Sequence, residues 1–374
     1  MSSKITGMFV TFLENGSTQS DKVKTFDTYQ EMLDDTSAIK YGIVDNTVYR
    51  REASGWVVGF PNIEKDDDYT AFEVWPTSSE IPVGTYTQDG ITYNIEKAIA
   101  ASATHVMWIR SEELPDKQNV VVDWGDGTIE ALSSFVVEDL GGSEGDYRYI
   151  CSHTYTELDK RYIVKIFGDT YFSVMNDTAA YKDTVQNNII SRALDKDLPV
   201  AKHITNISSF CRGSRKLFKV DVSKFIRRRE IINWAYLFCN CYNLNIAVGF
   251  GTLDNLHSAP GVFSGCTALH TTDYRLCRCP IYSTYIRETF NGCKNLAVSV
   301  LDLLPYTNFF IGEISAATLF QNSGVVVNAD NIDAVAAMLW NNPNVTWIKT
   351  TGAFKGCSDE TRALVPTSWG GLAS

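Results

Sequence analysis

Two pairs of cysteines in the C-terminal half of the chain could, by residue type, hold a metal ion. Cys239 and Cys241 are separated by one residue, as are Cys277 and Cys279, and four thiolates can close a tetrahedral zinc site. A one-residue spacing is unusual for zinc, and no histidine lies beside either pair. Structural thiols packed in a core are the preferred interpretation, because Cys241 also recurs in phase with other cysteines.

The histidines and carboxylates do not form a recognisable catalytic pattern. None of the histidines lies in a phrase with Ser, Cys or Asp that matches a nucleophile elbow, a zinc helix or a phosphate loop. Paired carboxylates such as Glu112 and Glu113 leave a glycosidase open, because the partners of such a pair meet only in the fold. The sequence therefore predicts a protein that is not an enzyme and that binds no cofactor.

Composition and charge limit the classes of partner. The chain has 374 residues, of which 44% are hydrophobic and 21% charged, a composition typical of a soluble globular protein with about two to three domains. The formal net charge of −11 argues against nucleic acid, because phosphate contacts need clustered Lys and Arg. The short basic run at 227–229 is interpreted as a solvated surface.

The sequence carries no visible export signal or membrane segment. The first residues lack a basic start followed by an apolar stretch, and no apolar run is long enough to span a bilayer. The nine cysteines are an odd number, which fits free thiols made in a reducing cytoplasm better than a disulfide framework. We therefore expect neither membrane insertion nor secretion.

A short phrase recurs in the C-terminal half and predicts how this half is built. Its phenylalanines are separated by 25 to 34 residues, a spacing typical of a stacked repeat array in which each unit buries its apolar face on its neighbours. The phenylalanines are Phe210, Phe238, Phe263, Phe290, Phe320 and Phe354. In the better copies a small thiol follows three residues later and a leucine six residues later, at Cys241, Leu244, Cys266, Leu269, Cys293, Leu296 and Cys357 (the last without its leucine).

These positions are predicted to form a continuous apolar ladder. Each buried Phe or Leu contributes on the order of 1.5 to 3 kcal/mol, so several rungs together can hold a stack. The first and fifth copies are weaker, with Gly213 and Leu217 in one and Ser323 and Val326 in the other. We interpret these two copies as capping units or as the site of an insertion.

The phrase resembles the leucine-rich repeat of the BspA type, which carries a Phe-x-Gly-Cys-x-x-Leu core. The resemblance covers about residues 200 to 360 and implies a leucine-rich-repeat solenoid, assigned here to 206–374. The family is frequent on bacterial surfaces and in phage structural proteins. It also implies a short strand after each leucine, for which 246–248 and 297–300 are suitable.

The N-terminal segment, 1–65, is predicted to be a small α+β or β module. An alternating stretch at 8–12 is followed by a helix near Thr28 with Tyr29, Met32 and Leu33 on one side, and then by a β-meander over 41–58. Phrases of the kind Tyr-Gly-Ile-Val, Tyr-Arg-Arg and Gly-Trp-Val resemble those of small modules in phage fibres. That resemblance implies attachment to capsid or tail proteins, or formation of a homotrimer.

A connecting β segment is assigned to 66–97. It contains a strand at 69–75 and a hairpin in which 85–87 and 91–94 are joined by Gln88, Asp89 and Gly90. Asp-Gly supplies the positive φ angles that a tight turn requires.

The segment 98–170 reads as strands joined by two distinctive phrases, Trp-Gly-Asp-Gly-Thr and His-Thr-Tyr. Together they resemble the polycystic-kidney-disease (PKD) domain, an immunoglobulin-like β-sandwich. The resemblance implies structural roles for Trp124, Asp126, Gly127, His153 and Tyr155. A Ca²⁺ site at Asp123 and Asp126 is an alternative, although two carboxylates are too few for calcium.

The segment 171–205 is predicted to be a helical connector that caps the repeat array. Apolar residues between 181 and 202 fall at spacings compatible with a helix, and Pro199 would end it.

The predicted whole is a mostly β, multidomain protein that acts through its surface. Together the modules resemble a phage virion protein, namely a head fibre, decoration protein or tail fibre made in the host cytoplasm, that binds host-surface protein or glycan. A bacterial cell-surface adhesin and a glycan-degrading enzyme with accessory domains are the alternatives. Candidate recognition residues lie in the connections between repeats, at Tyr282, Tyr285 and Tyr306.

Overall fold

The chain folds into several sheets joined by short helices and turns. The computed structural model describes residues 23–25, 29–34, 41–44, 47–52, 55–58, 69–111, 120–139, 147–168, 172–175, 189–195, 197–202, 204, 206–225, 231–250, 259–276, 286–304 and 312–373. Within these ranges the fold is mostly β, with several antiparallel sheets, as predicted.

The described N-terminal residues form a small sheet beside a short helix. The elements are β1 (Val23–Thr25), α1 (Tyr29–Asp34), β2 (Tyr41–Val44), β3 (Thr47–Glu52) and β4 (Gly55–Val58). Strand β1 pairs with β2 in parallel, and β2, β3 and β4 form the predicted antiparallel meander.

The predicted helix near Thr28 is present as α1, which begins at Tyr29. Met32 is fully buried, whereas Leu33 is 43% exposed. Consecutive residues lie about 100° apart around a helix axis, so this short helix buries one of them and exposes the other. The alternating stretch at 8–12 lies outside the described residues.

The middle of the chain supplies two antiparallel sheets and a hairpin within the described ranges. The strands are β5 (Tyr69–Val74), β6 (Gly84–Gln88), β7 (Ile91–Ile95), β8 (Thr104–Ser111), β9 (Val121–Asp123), β10 (Ile129–Ala131), β11 (Val136–Asp139), β12 (Tyr147–Thr154), β13 (Tyr162–Phe167), β14 (Phe172–Met175) and β15 (Ile190–Ala193). One sheet has the order β10-β9-β13-β5-β15, and the other β11-β12-β8-β14. The predicted hairpin is confirmed, because Gln88 of β6 pairs with Ile91 of β7 across a two-residue turn.

The predicted helix over 181–202 is wrong in its described part. Residues Ile190–Ala193 form strand β15, which pairs antiparallel with β5 through a bulge. Segment 171–205 also contains β14, so it is not a helical connector there. Ile190 and Ala193 are buried against the sheet, and pairing with the edge of β5 outweighs a local helical spacing.

Short parallel strands and helices make up the C-terminal half. The elements are β16 (Lys219–Asp221), β17 (Ile246–Val248), β18 (Thr271–Thr272), α2 (Val300–Leu303), β19 (Gly312–Ser315), α3 (Ile332–Met338), β20 (Val345–Lys349) and α4 (Asp359–Ala363). Strands β16, β17 and β18 pair in parallel, as do β19 and β20. The strand predicted at 246–248 is therefore confirmed.

The strand predicted at 297–300 is wrong. Ser299 makes a single bridge to Val326, and its side chain caps α2 by accepting a hydrogen bond from the Leu301 amide at 3.2 Å. A serine at this position favours a helix start over a continued strand, because its hydroxyl satisfies an otherwise unpaired amide.

One continuous cluster of buried apolar side chains extends from the paired sheets to the C-terminal residues. It includes Phe72 of β5, Phe210 and Trp369. Phe72 meets Phe210 edge-on at a centroid distance of 5.6 Å. A second cluster, formed by Tyr93, Ile95, Ile99 and Phe218, packs the hairpin onto the first turn of the C-terminal half.

Candidate binding cleft and the turns that position it

The recurring phenylalanines lie above one another in successive turns. Ring centroids are 5.6 Å apart between Phe238 and Phe263, 5.8 Å between Phe263 and Phe290, and 5.9 Å between Phe290 and Phe320. Phe354 continues the column in a tilted contact at 5.1 Å. Phe210, the first, packs against Phe72 instead. We call this series of turns, from Phe210 to Phe354, the turn ladder.

Backbone hydrogen bonds hold the turns in register. The amide of Phe238 donates to the carbonyl of Val262 at 2.9 Å, and the amide of Phe263 donates to the carbonyl of Thr289 at 3.0 Å. The phenylalanines and the leucines Leu217, Leu244, Leu269 and Leu296 are fully buried or nearly so. In the fifth copy, Val325 and Val327 are buried while Val326 is 36% exposed, so the assignment of Val326 to the leucine position is wrong.

The cysteines of the turn ladder donate hydrogen bonds to the preceding turn. The thiols of Cys266, Cys293 and Cys357 donate to the carbonyls of Phe238, Phe263 and Phe320 at 3.1, 3.1 and 3.0 Å. Cys241 donates to the carbonyl of Cys211 at 3.0 Å. Burial raises the pKa of each of these thiols, so they remain protonated at neutral pH.

This arrangement does not fit the zinc alternative at Cys241. A zinc ligand must be a thiolate, whereas the Cys241 thiol is a buried donor. Cys277 and Cys279 lie outside the described residues. In the part of the chain that the structure describes, no group of three or more His, Cys, Asp or Glu side chains could hold a metal ion.

Side chains from the Trp-Gly-Asp-Gly-Thr and His-Thr-Tyr phrases lie together in one compact cluster. His153 Nε2 lies 2.7 Å from Asp126 Oδ2, the His153 ring stacks on Trp124 at 5.0 Å, and the Tyr155 hydroxyl donates to the Trp124 carbonyl at 3.1 Å. Gly127 has a φ of +97° in the turn. Burial raises the pKa of Asp126, but the hydrogen bonds from His153 and Thr128 outweigh it and leave the pKa below its ordinary value.

The calcium alternative at this cluster is weak. One oxygen of Asp126 faces His153, and the other accepts from the Thr128 amide at 3.0 Å. One oxygen of Asp123 accepts from the Gly125 amide at 2.9 Å. These carboxylates are engaged by protein groups, and Ca²⁺ needs six to eight oxygen ligands.

Polar residues next to the ladder leucines form a column that binds parts of the segment 75–97. Sequence reasoning did not anticipate these contacts. Asn243 makes four hydrogen bonds: its Oδ1 accepts from the amides of Glu96 and Lys97 at 2.9 and 3.0 Å, and its Nδ2 donates to the carbonyls of Lys97 and Arg215 at 2.9 and 3.1 Å. Asn245 pairs with the amide and carbonyl of Asn94 at 2.8 and 2.9 Å. The hairpin is thereby fixed across the turn ladder.

Lys216 occupies the same column one turn earlier. It is 2% exposed, and its Nζ donates to the carbonyl of Trp75 at 2.6 Å and to the hydroxyl of Thr77 at 2.9 Å. Desolvation lowers the pKa of Lys216 to about 7, against an opposing attraction from Asp159. One indication in the sequence that Lys216 is buried was its position, one residue before Leu217.

Between the hairpin, the edge strand β15 and the strand β16 lies a cleft of about 460 Å³, a size typical of ligand pockets. Most of its lining is polar or charged, and Ala193, Phe218 and Val220 are the apolar members. The lining residues are Glu73, Gln88, Asp89, Tyr93, Arg161, Ser191, Arg192, Ala193, Asp195, Phe218, Lys219, Val220 and Asp221. We refer to this space as the hairpin cleft.

The buried carboxylate of Glu73 contacts several other polar residues that line the hairpin cleft. Glu73 Oε1 accepts from Arg161 Nη1 at 2.6 Å and from the Ser191 hydroxyl at 2.7 Å. Arg192 Nε lies 3.6 Å from Glu73 Oε2, and its Nη1 lies 3.7 Å from Asp195. The inner charges of the cleft therefore compensate one another.

Two buried polar atoms of the cleft lining make no hydrogen bond to any described residue. They are Oε1 of Gln88, an acceptor, and Nε of Arg192, a donor. The sequence pointed to neither residue, because both lie in ordinary strands whose convergence depends on the fold. The predicted recognition residues Tyr282, Tyr285 and Tyr306 lie outside the described ranges.

Comparison with known proteins identifies no relative. No protein-family model, curated protein or solved structure matches this chain. Among the residues described, no helix is both long and apolar enough to cross a membrane.

Proposed function

We propose that this chain is a non-enzymatic structural protein of a bacteriophage virion, a head fibre, decoration protein or tail fibre that displays adhesive domains. In this proposal the N-terminal module attaches to capsid or tail proteins, with a homotrimer as one arrangement. The distal domains face outward and contact protein or glycan on the host surface.

The single observation that carries the proposal is the continuous apolar core that joins Phe72 in the paired sheets to Trp369 at the C-terminal end. Stacked rings and inter-turn hydrogen bonds connect the successive turns within this core. A packed body of this kind presents a defined surface, and many copies on one particle would turn weak contacts into strong attachment.

We further propose that the two antiparallel sheets form an immunoglobulin-like sandwich of the PKD type, and the turn ladder a leucine-rich-repeat solenoid of the BspA type. The contact between Asp126 and His153 beside Trp124 supports the first assignment. The column of Phe rings and the hydrogen bonds from the cysteine thiols support the second.

The described site chemistry favours display over catalysis. The ladder thiols are protonated donors, and His153 is engaged by Asp126 and stacked on Trp124. In this proposal these groups stabilise the fold rather than act as a nucleophile or a general base, because each is already engaged by a neighbouring protein group.

Electron microscopy of phage particles carrying this chain with an affinity tag tests the proposal. Gold-labelled antibody should mark the particle at a regular set of positions, and the purified chain should bind host cells. Absence of the chain from purified particles, together with no adhesion to cells, would remove the proposal. Hydrolysis of a glycan by the purified chain would favour the enzyme alternative instead.

A further inference from the structure

The hairpin cleft has three properties that together indicate a ligand. Its volume of about 460 Å³ is far larger than the roughly 30 Å³ that one water occupies. Separate strands, β5, β6, β15 and β16, bring polar side chains to it. Its lining also includes a buried acceptor on Gln88 and a buried donor on Arg192 without hydrogen-bond partners among the described residues.

The charge balance of the cleft argues against an ionic ligand. Arg161 and Arg192 face Glu73, and Arg192 also faces Asp195. With Asp89, Asp221 and Lys219 included, the lining carries four carboxylates and three cationic side chains. This formal charge of −1, most of it compensated within the cleft, gives no strong preference for an anion or a cation.

The two unpaired atoms indicate the kind of group that would bind. Gln88 Oε1 makes no hydrogen bond to any described residue and can accept one. Arg192 Nε lies 3.6 Å from Glu73 Oε2, beyond hydrogen-bond distance, so it can still donate to a ligand acceptor. A hydroxyl group can both donate and accept. Ser191 lies on the same strand as Arg192, and its own hydroxyl is engaged by Glu73. A ligand rich in hydroxyl groups would satisfy these atoms at little cost in desolvated charge.

The lining also contains side chains suited to the apolar side of such a ligand. Tyr93 and Phe218 stack at a centroid distance of 5.4 Å and are 5% and 4% exposed, and Val220 also lines the cleft. Sugars combine hydroxyl groups with apolar C–H faces, and aromatic edges provide contact area for those faces.

We propose that the hairpin cleft binds a neutral oligosaccharide, with Gln88 and Arg192 contacting its hydroxyl groups. The inference rests on the proposed function only in taking the host surface as the source of the sugar. Binding itself is a property of the cleft and can be measured on the purified chain.

The test uses the full chain with maltose, cellobiose, lactose and N,N′-diacetylchitobiose, each at millimolar concentration. Saturation-transfer NMR detects contact with each sugar, and calorimetry measures its Kd. At least one sugar should bind, and Gln88→Ala and Arg192→Met should each weaken that binding roughly three- to tenfold, the effect of one lost hydrogen bond.

Matched controls separate the cleft from general effects on the fold. Gln30→Ala on α1 and Arg287→Met on the turn ladder change the same residue types outside the cleft and should leave the Kd unchanged. Thermal unfolding of every variant checks folding. Gln88 lies at the hairpin tip, so its variant keeps the test decisive if Arg192→Met does not fold.

Failure of this inference is distinguishable from failure of the proposed function. The inference is overturned if none of the four sugars receives saturation, or if both cleft variants bind as tightly as the wild type. If the chain binds sugar but is absent from particles and does not adhere to cells, the virion proposal is rejected and the inference that the hairpin cleft binds sugar is supported.

Discussion

The thiol of Cys266 donates a hydrogen bond of 3.1 Å to the carbonyl of Phe238, one turn earlier in the ladder. The same contact joins Cys293 to Phe263. It explains why a thiol follows four of the six recurring phenylalanines: the side chain must be small, apolar enough for the core, and able to donate to a carbonyl that faces it.

Buried ladder thiols should be unreactive in the folded protein. Burial raises the pKa of Cys241, Cys266 and Cys293, and only the thiolate reacts with alkylating reagents. Peptide mapping after iodoacetamide treatment at pH 8 should find these cysteines unmodified in native protein and modified in guanidinium chloride. Equal modification in both conditions would contradict the ladder.

Truncating the centre of the ring column should strongly destabilise the protein. Phe263 stacks on Phe238 and Phe290 and is fully buried, so Phe263→Ala should cost about 3 to 5 kcal/mol. Urea unfolding measures this loss. Val83→Ala is the control, because Val83 is 64% exposed and its loss should cost no more than about 0.5 kcal/mol. Similar losses of unfolding free energy in the two variants would show that the column of Phe rings does not stabilise the fold.

Two glycines at the same place in adjacent turns should respond differently to alanine. Gly265 and Gly292 have φ angles of +79° and +76°, so alanine at either costs about 1 to 2 kcal/mol. A Cβ at Gly265 would also overlap the side-chain oxygen of Asn240, whereas at Gly292 the nearest atoms are 3.5 Å away. Gly265→Ala should therefore be the more destabilising in urea. The reverse order would show that Asn240 does not lie over the next turn.

Removing the Asn243 amide should loosen the hairpin from the turn ladder. Asn243→Ala leaves part-buried backbone carbonyls of Lys97 and Arg215 without this partner, at about 1 kcal/mol for each lost hydrogen bond. Hydrogen exchange at 94–97 should accelerate. Asn295→Ala is the control, since Asn295 is exposed and its side-chain amide donates to the Glu96 carboxylate at 2.7 Å rather than to the backbone. Unchanged hydrogen exchange in the Asn243 variant would show that the Asn243 side chain does not hold the hairpin on the turn ladder.

Lys216 should make stability depend on pH. Its folded-state pKa is about 7, below the unfolded value near 10.4. Between these values the unfolded chain holds a proton that the folded chain does not, so the lysine's contribution to stability rises with pH across this window. Below pH 7 the buried charge is at its most destabilising.

Comparison of variants isolates this effect from other titrations. The free energy of unfolding of wild type minus that of Lys216→Met should rise between pH 6.5 and pH 9, by at most about 1.4 kcal/mol per pH unit. Lys219→Met, which changes an exposed lysine on β16, should follow the wild-type profile. Parallel profiles for all three proteins would exclude a depressed pKa at Lys216.

The sequence by itself determined the elements whose signal is local or periodic. The Asp89-Gly90 hairpin could be read because both turn residues need positive φ, at +51° and +75°. The spacing of Phe238, Phe263 and Phe290 predicted stacked turns, because identical side chains at equal intervals can share one interior.

Only the tertiary structure decided which strands meet and what they enclose. Strand β15 looked helical because Ile190 and Ala193 fit a helical spacing, and only the free edge of β5 selected the strand. The hydrogen bond from Asn243 to Lys97 joins residues more than a hundred positions apart. The hairpin cleft likewise brings together Gln88 and Arg192, about a hundred positions apart. Local propensity carries no information on such pairs, because their energy appears only when the two segments are already in contact.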